Sequence, residues 1–290
     1  MKLLRRIGIA LGVLVVLIVV AAIVLYMIGG NTLRQKHTQD VAGIDIPDDS
    51  LSIAEGRRYA QMFACTVCHD AQLQGSVMID DPVFGRMVAP HIGPGAGSVT
   101  ASYEPEDWVR AIRHGIGSNG RPLVIMPSSY YTRLMAPEDL GRIVAAIRNG
   151  QAVDHDPGKS SLRLAQVLLG AGVFKTEYAS IDHAADPPAK PDPTDTLGTG
   201  RYVGGICTVC HGPTLMGNKE FGGPPLVRGS VMDTYDEEAF RNLFRTGQAR
   251  NGRKLDEEAM PWKELGQMTE GEMHAVWTWI RTVPPTPTTP

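Results

Sequence analysis

Cys65-Thr66-Val67-Cys68-His69 and Cys207-Thr208-Val209-Cys210-His211 are the same five residues written twice, and they hold every cysteine of the 290-residue chain. Their surroundings repeat as well. Leu73-Gln74-Gly75 answers Leu215-Met216-Gly217 at the offset of 142 that separates the motifs. Tyr103, Arg113, Gly115 and Asn119-Gly120-Arg121 answer Tyr235, Arg245, Gly247 and Asn251-Gly252-Arg253 at a constant offset of 132. The first copy therefore carries ten extra residues between Gly75 and Tyr103. Met126-Pro127 matches Met260-Pro261, and the copies close on Ile147-Arg148 and Ile280-Arg281. A repeat of this length defines the folding unit before any motif is interpreted.

The closing segments have helical periodicity. Leu140, Ile143, Val144 and Ile147 fall at i, i+3, i+4 and i+7 behind Pro137, which suits a first helical position. Met273, Val276, Trp277 and Ile280 repeat the pattern. A shorter helix is expected around Trp108, Ala111 and Ile112, and again around Phe240, Leu243 and Phe244, with Trp108 and Phe240 in the core. Gly (32) and Pro (21) make up almost a fifth of the chain and alternating strand patterns are scarce, so the fold expected is mainly α with irregular loops. Residues 52–150 and 195–283 are the two expected domains. Between them, 151–194 should be a linker, in which Ser161 to Val173 could form one amphipathic helix and Asp186 to Pro193 is a stiff Pro-rich stretch. The tail, 284–290, should be disordered.

At the N-terminus, Ile7 to Ile28 carries no charged side chain. A helix of that length spans about 33 Å, enough for a hydrocarbon core of about 30 Å. A cleavable signal has a shorter apolar region and a small-residue exit, which Tyr26-Met27-Ile28 does not match. Residues 1–30 are therefore expected to be a cytoplasmic N-terminus and an uncleaved transmembrane anchor, with 31–51 as a juxtamembrane linker. Lys2, Arg5 and Arg6 place the N-terminus inside and the rest of the chain outside. Without those three, 25 basic residues face 31 acidic ones, a balance that argues against nucleic acid as partner and otherwise reads as ordinary solubility charge.

In Cys-x-x-Cys-His the two thiols add to the vinyl groups of haem and the histidine coordinates iron from one face. A disulfide, or a zinc site built from both Cys pairs, would leave His69 and His211 unexplained. The reading is two covalently attached haem c groups, held by Cys65, Cys68 and His69 and by Cys207, Cys210 and His211. For the sixth ligand the repeat offers two methionine pairs. Met135 and Met268 lie just before the closing helices, where an apolar residue is explained as a staple. Met126 and Met260 lie in loops before proline with no helical face to explain them, and they are the expected iron ligands. His91 and His114 are the rivals in the first copy. His37, His155, His183 and His274 have no repeat partner and are read as non-ligands.

The order of haem motif, Pro-containing loop, short helix, Gly-Arg, Met-Pro and closing helix resembles the class I cytochrome c family over nearly all the chain beyond the anchor. The resemblance implies a proline carbonyl that accepts a hydrogen bond from the coordinating histidine: Pro90 by position in the first copy, Pro225 in the second. His91 stands where the family often has Asn. The tandem arrangement resembles anchored dihaem cytochrome subunits of periplasmic dehydrogenases and terminal oxidases.

Two His/Met haems predict an electron carrier without catalysis of its own, anchored in a bacterial inner membrane with its haem domains in the periplasm. It would serve a respiratory or photosynthetic-type chain, with a membrane dehydrogenase, an oxidase or a soluble cytochrome as redox partner. The alternatives are a dihaem peroxidase, which needs an iron that opens a coordination position, and a haem-based redox or gas sensor.

Overall fold

The computed structural model describes residues 2–219, 222–257 and 259–284, and most of the expected tail, from 285 on, lies outside them. In chain order its elements are α1 (Lys2–Arg34), α2 (Ser50–Met62), α3 (Cys65–His69), β1 (Ser76–Asp81), β2 (Gly85–Ala89), α4 (Pro105–His114), α5 (Ser128–Leu134) and α6 (Pro137–Arg148). There follow β3 (Ser161–Leu162), α7 (Leu164–Gly170), α8 (Thr196–Gly204), α9 (Cys207–His211), α10 (Glu237–Thr246), α11 (Trp262–Leu265) and α12 (Glu270–Thr282). The fold is mainly helical, and α1 is long and apolar enough to cross a membrane.

The chain forms two compact units. One comprises residues 1–43, 74–129 and 154–185; the other comprises 44–73, 130–153 and 186–290.

In the first unit, β1 and β2 form an antiparallel hairpin, and β3 pairs with β2. Strands were not expected here. Only Ser76 of β1 is half-buried and the rest of the strand is exposed, so no alternation marks it. The hairpin fills most of the first copy's extra length. Gly75 lies against the backbone of Ala89, Pro90 and His91, as Gly217 in the other unit lies against Gly223 and Pro225. Pro90 therefore corresponds to Pro224 and His91 to Pro225. Helix α4 starts at a capping box between Glu104 and Asp107, with Pro105 in its first turn, and ends at a left-handed Gly115. Trp108, Ala111 and Ile112 are buried on one face. The segment expected to link the copies contributes β3 and α7, and the helix is shorter than the stretch Ser161 to Val173 expected from the sequence.

In the second unit the pairs α2/α6 and α8/α12 each bring a helix preceding a Cys motif against a closing helix. Asp49 caps α2 by accepting from the amides of Leu51 and Ser52, and Asp195 caps α8 by accepting from Gly198. Both crossings are backbone-close. A Cβ on Gly56 would stand 1.8 Å from the carbonyl oxygen of Arg142, and one on Gly200 would stand 2.0 Å from that of Ala275. Leu140, Ile143, Val144 and Ile147 are all buried on α6. On α12, Met273, Val276 and Ile280 are buried, while Trp277 is half-buried, 5.4 Å from Phe240 with the Arg281 guanidinium over its ring. Met135 and Met268 are core residues, 1% and 6% exposed.

Polar contacts tie the two helix pairs of this unit together. The Asp139 carboxylate is fully buried and accepts from Arg142 (2.8 Å), Lys190 (2.6 Å) and the Tyr202 hydroxyl (2.7 Å). Arg58 donates to both oxygens of Glu272 and to the Gln267 carbonyl. The Pro-rich stretch is thus fixed at Lys190 despite having no regular structure.

Candidate haem-attachment sites

Both Cys motifs fold as single helical turns, α3 and α9, with the histidine at the C-terminal end. His69 and His211 are each 8% exposed, so an imidazole is withdrawn from water in both. Burial pushes the thiols of Cys65 and Cys207 up to about 12, and those of Cys68 and Cys210 are raised for the same reason. Thiols in such surroundings are neutral, unlike the thiolates of a reactive redox pair. Among the described residues no three His, Cys, Asp or Glu side chains converge as metal ligands.

The second site is the more fully defined. His211 Nδ1 lies 2.7 Å from the Pro224 carbonyl, which can only accept, so Nδ1 carries the proton. That leaves Nε2 with its lone pair, the form in which a histidine binds metal. Burial lowers the His211 pKa and the Pro224 bond opposes the shift, so the ring is neutral. The acceptor is Pro224, one residue before the expected Pro225. In an extended chain successive carbonyls point opposite ways, so only one of two adjacent prolines can face the imidazole. Gly223 brings this segment against α9: a Cβ there would lie 2.0 Å from the Cys210 carbonyl oxygen. The identity of two neighbouring prolines conceals the register from sequence alone.

The loops leading to the methionines share backbone hydrogen bonds. The amides of Leu123 and Leu255 donate to the carbonyls of Gly115 and Gly247 (2.7 Å each), and those of Gly117 and Ala249 donate to Arg121 and Arg253 (2.9 Å each). The amides of Ser128 and Trp262 then donate to the carbonyls of Met126 and Met260 (2.7 Å each). Both methionines are half-buried, in contrast to the core pair Met135 and Met268. Trp262, two residues after Met260, is 6% exposed, and its Nε1 has no partner among the described residues. A buried indole donor with no acceptor among the described residues fits a site completed by a group bearing acceptor oxygens, as haem propionates do.

Of the first copy's residues, Cys65, Cys68 and His69 belong to the second unit and Pro90 and Met126 to the first. Beside Cys65 and Cys68 stands Tyr131, whose hydroxyl donates to the Phe63 carbonyl (2.6 Å) and whose pKa is raised by burial and by the two thiols. The internal repeat passes over it, because the other copy has Leu265 there. The rival ligand His114 is turned towards His183, with their Nδ1 atoms 3.0 Å apart. His91 is 1% exposed, its Nδ1 lies 3.2 Å from the His155 carbonyl, and its Nε2 has no partner among the described residues. His37 stacks on Tyr178 and His274 meets Glu237.

The chain is 28% identical over 184 residues to the gluconate 2-dehydrogenase cytochrome c subunit of Pantoea cypripedii. The chain resembles a dehydrogenase cytochrome. That match covers 58% of this chain and 40% of the relative. A nicotinate dehydrogenase subunit of Pseudomonas putida is 25% identical over 205 residues, covering 67% of this chain and 17% of that protein. The chain thus spans less than half of either curated relative. No family model matches it.

Proposed function

We propose that this chain is a membrane-anchored dihaem c-type cytochrome that carries single electrons on the periplasmic face of a bacterial inner membrane, as a subunit of a dehydrogenase complex. The observation that carries the reading is the duplication: two Cys-x-x-Cys-His turns, each followed in sequence by the same loop hydrogen bonds ending at Met-Pro. The dehydrogenase cytochrome relative supports a dehydrogenase as electron donor; an oxidase or a soluble cytochrome would accept.

Haem supplies the one-electron iron couple. Cys65 and Cys68, and Cys207 and Cys210, would hold it as thioethers, with His69 and His211 as proximal ligands. Pro224 fixes the His211 ring and raises its basicity. Pro90 is the corresponding residue for His69. Met126 and Met260 would supply the thioether ligands, which favour ferrous iron and raise the potential. Held by His69 and Met126, and by His211 and Met260, the haems would be carriers of electrons and not sites for substrate. Within the second unit, Leu134, three residues after Tyr131, places Cδ2 against Gly205, two residues before Cys207. This contact packs the segment beside the first Cys motif against the segment before the second, and electrons would cross there if both motifs held haem.

Redox titration of the purified protein and its variants tests the ligand set. Met126→His and Met260→His should each lower the potential of one haem and leave the other unchanged, while Met135→Leu and Met268→Leu should leave both in place. If His91→Ala, and not Met126→His, alters the first haem, His91 is the ligand.

A further inference from the structure

We infer that residues 164–174 form a second membrane contact, a short re-entrant element lying against the anchor helix within the outer half of the bilayer. The inference rests on the reading of α1 as a membrane span. The first observation is the direction of packing. A Cβ on Gly29 would meet the carbonyl oxygen of Gln166 at 2.1 Å, and one on Gly170 would meet that of Leu25 at 1.9 Å. Four residues along α7 therefore correspond to four residues back along α1, so α7 runs antiparallel to it, towards the membrane interior. Leu25 lies three residues inside Ile28, where the apolar span ends, which is about 4.5 Å of helix. The turn that follows α7 closes at that depth, with the amides of Gly172 and Val173 bonded to the carbonyls of Leu169 and Leu168 (3.0 Å each). This depth approaches the roughly 5–10 Å to which interfacial helices bury their apolar face.

The second observation is chemical. Leu164-Ala165-Gln166-Val167-Leu168-Leu169-Gly170-Ala171-Gly172-Val173-Phe174 contains no charged residue. Its one polar side chain, Gln166, donates to the Tyr26 carbonyl on α1 (2.8 Å). Leu164 and Val173 are 41% and 67% exposed, on a segment too apolar all round for a surface helix in water. Exposed Lys175 follows at once, and its aliphatic stem lets the ammonium reach the headgroups. Close approach through Gly29 and Gly170 is the packing expected of helices in lipid, where small residues let backbones touch. The occupant of the exposed face is the acyl-chain layer, because the face is continuous with a helix surface that already requires it.

The test uses the full-length, haem-loaded protein in phosphatidylcholine liposomes containing a lipid with a photoactivatable acyl chain. After illumination and digestion, mass spectrometry locates the adducts. Adducts are expected on α1 and, at comparable yield, on 164–174, above the exposed loop around Val99. Gly170→Leu, which cannot dock on Leu25, and Val173→Glu, which adds a charge at depth, should each lose the adducts on 164–174 and keep those on α1. Adducts on α1 with none on 164–174 in the unaltered protein would overturn the inference and leave the anchor reading standing. Absence from both would overturn the two together.

Discussion

Gly200→Ala adds one methyl at the crossing of α8 and α12, and its cost follows from the geometry. The new Cβ would stand 2.0 Å from the Ala275 carbonyl oxygen and 2.8 Å from Cβ of Trp279. A carbon–oxygen contact is normally about 3.3 Å, so the helices must part by roughly 1.3 Å. A gap of 0.5–1 Å already forfeits about a quarter to a half of the dispersion energy of the contacts it opens, here those between α8 and α12. Overpacking of this kind costs about 1–3 kcal/mol, against about 0.5–1 kcal/mol returned by replacing a helical glycine with alanine. The net expectation is a loss of about 1–2 kcal/mol, or roughly 2–8 °C in melting temperature. Gly271→Ala is the control: it makes the same exchange on α12, where the new Cβ would come no nearer to a neighbour than the Thr269 hydroxyl at 4.0 Å. Urea titration followed by circular dichroism at a helix wavelength should show the midpoint falling for Gly200→Ala and holding or rising for Gly271→Ala. Equal shifts in both would refute the claim that the helix pair is set by backbone contact at Gly200.

Asp139→Ala should cost about 2–4 kcal/mol, because it leaves Lys190 and Tyr202 without the buried carboxylate that joins them, and thermal melting would register it. The pH dependence has a defined sign. Burial, His183 and Arg113 push the His114 pKa down from 6.5 to about 4, so unfolding takes up a proton between those values. Stability from this source is complete above about pH 6.5 and is lost as pH falls towards about 4. Melting curves across that window should flatten in His114→Gln, and an unchanged slope would count against it. The potentials of Met126→His and Met260→His are the fourth expectation, with the core methionines as controls.

Helices were legible in the sequence wherever one face is apolar at helical spacing: α4, α6, α10 and α12 lie where the periodicity puts them. Trp277 departs from the expected buried set because Phe240 and Arg281 cover only part of a large ring. The hairpin β1–β2 was not legible, since its first strand is exposed on both faces and carries no alternation. The repeat singles out the cysteines, histidines and loop methionines as the proposed haem residues. Pro224 could not be told from Pro225, because the choice depends on which carbonyl the chain turns towards His211. Tyr131, and the Trp262 indole that has no hydrogen-bond partner among the described residues, emerge only from burial and hydrogen bonding, which the repeat does not encode.

On the proposed function, each Cys-x-x-Cys-His turn carries its own covalent haem. Peptide mass spectrometry of the protein purified from membranes tests this most directly. One haem is expected on the peptide containing Cys65 and Cys68, and another on the peptide containing Cys207 and Cys210. Unmodified thiols on either peptide, from protein matured in cells competent for haem attachment, would contradict it.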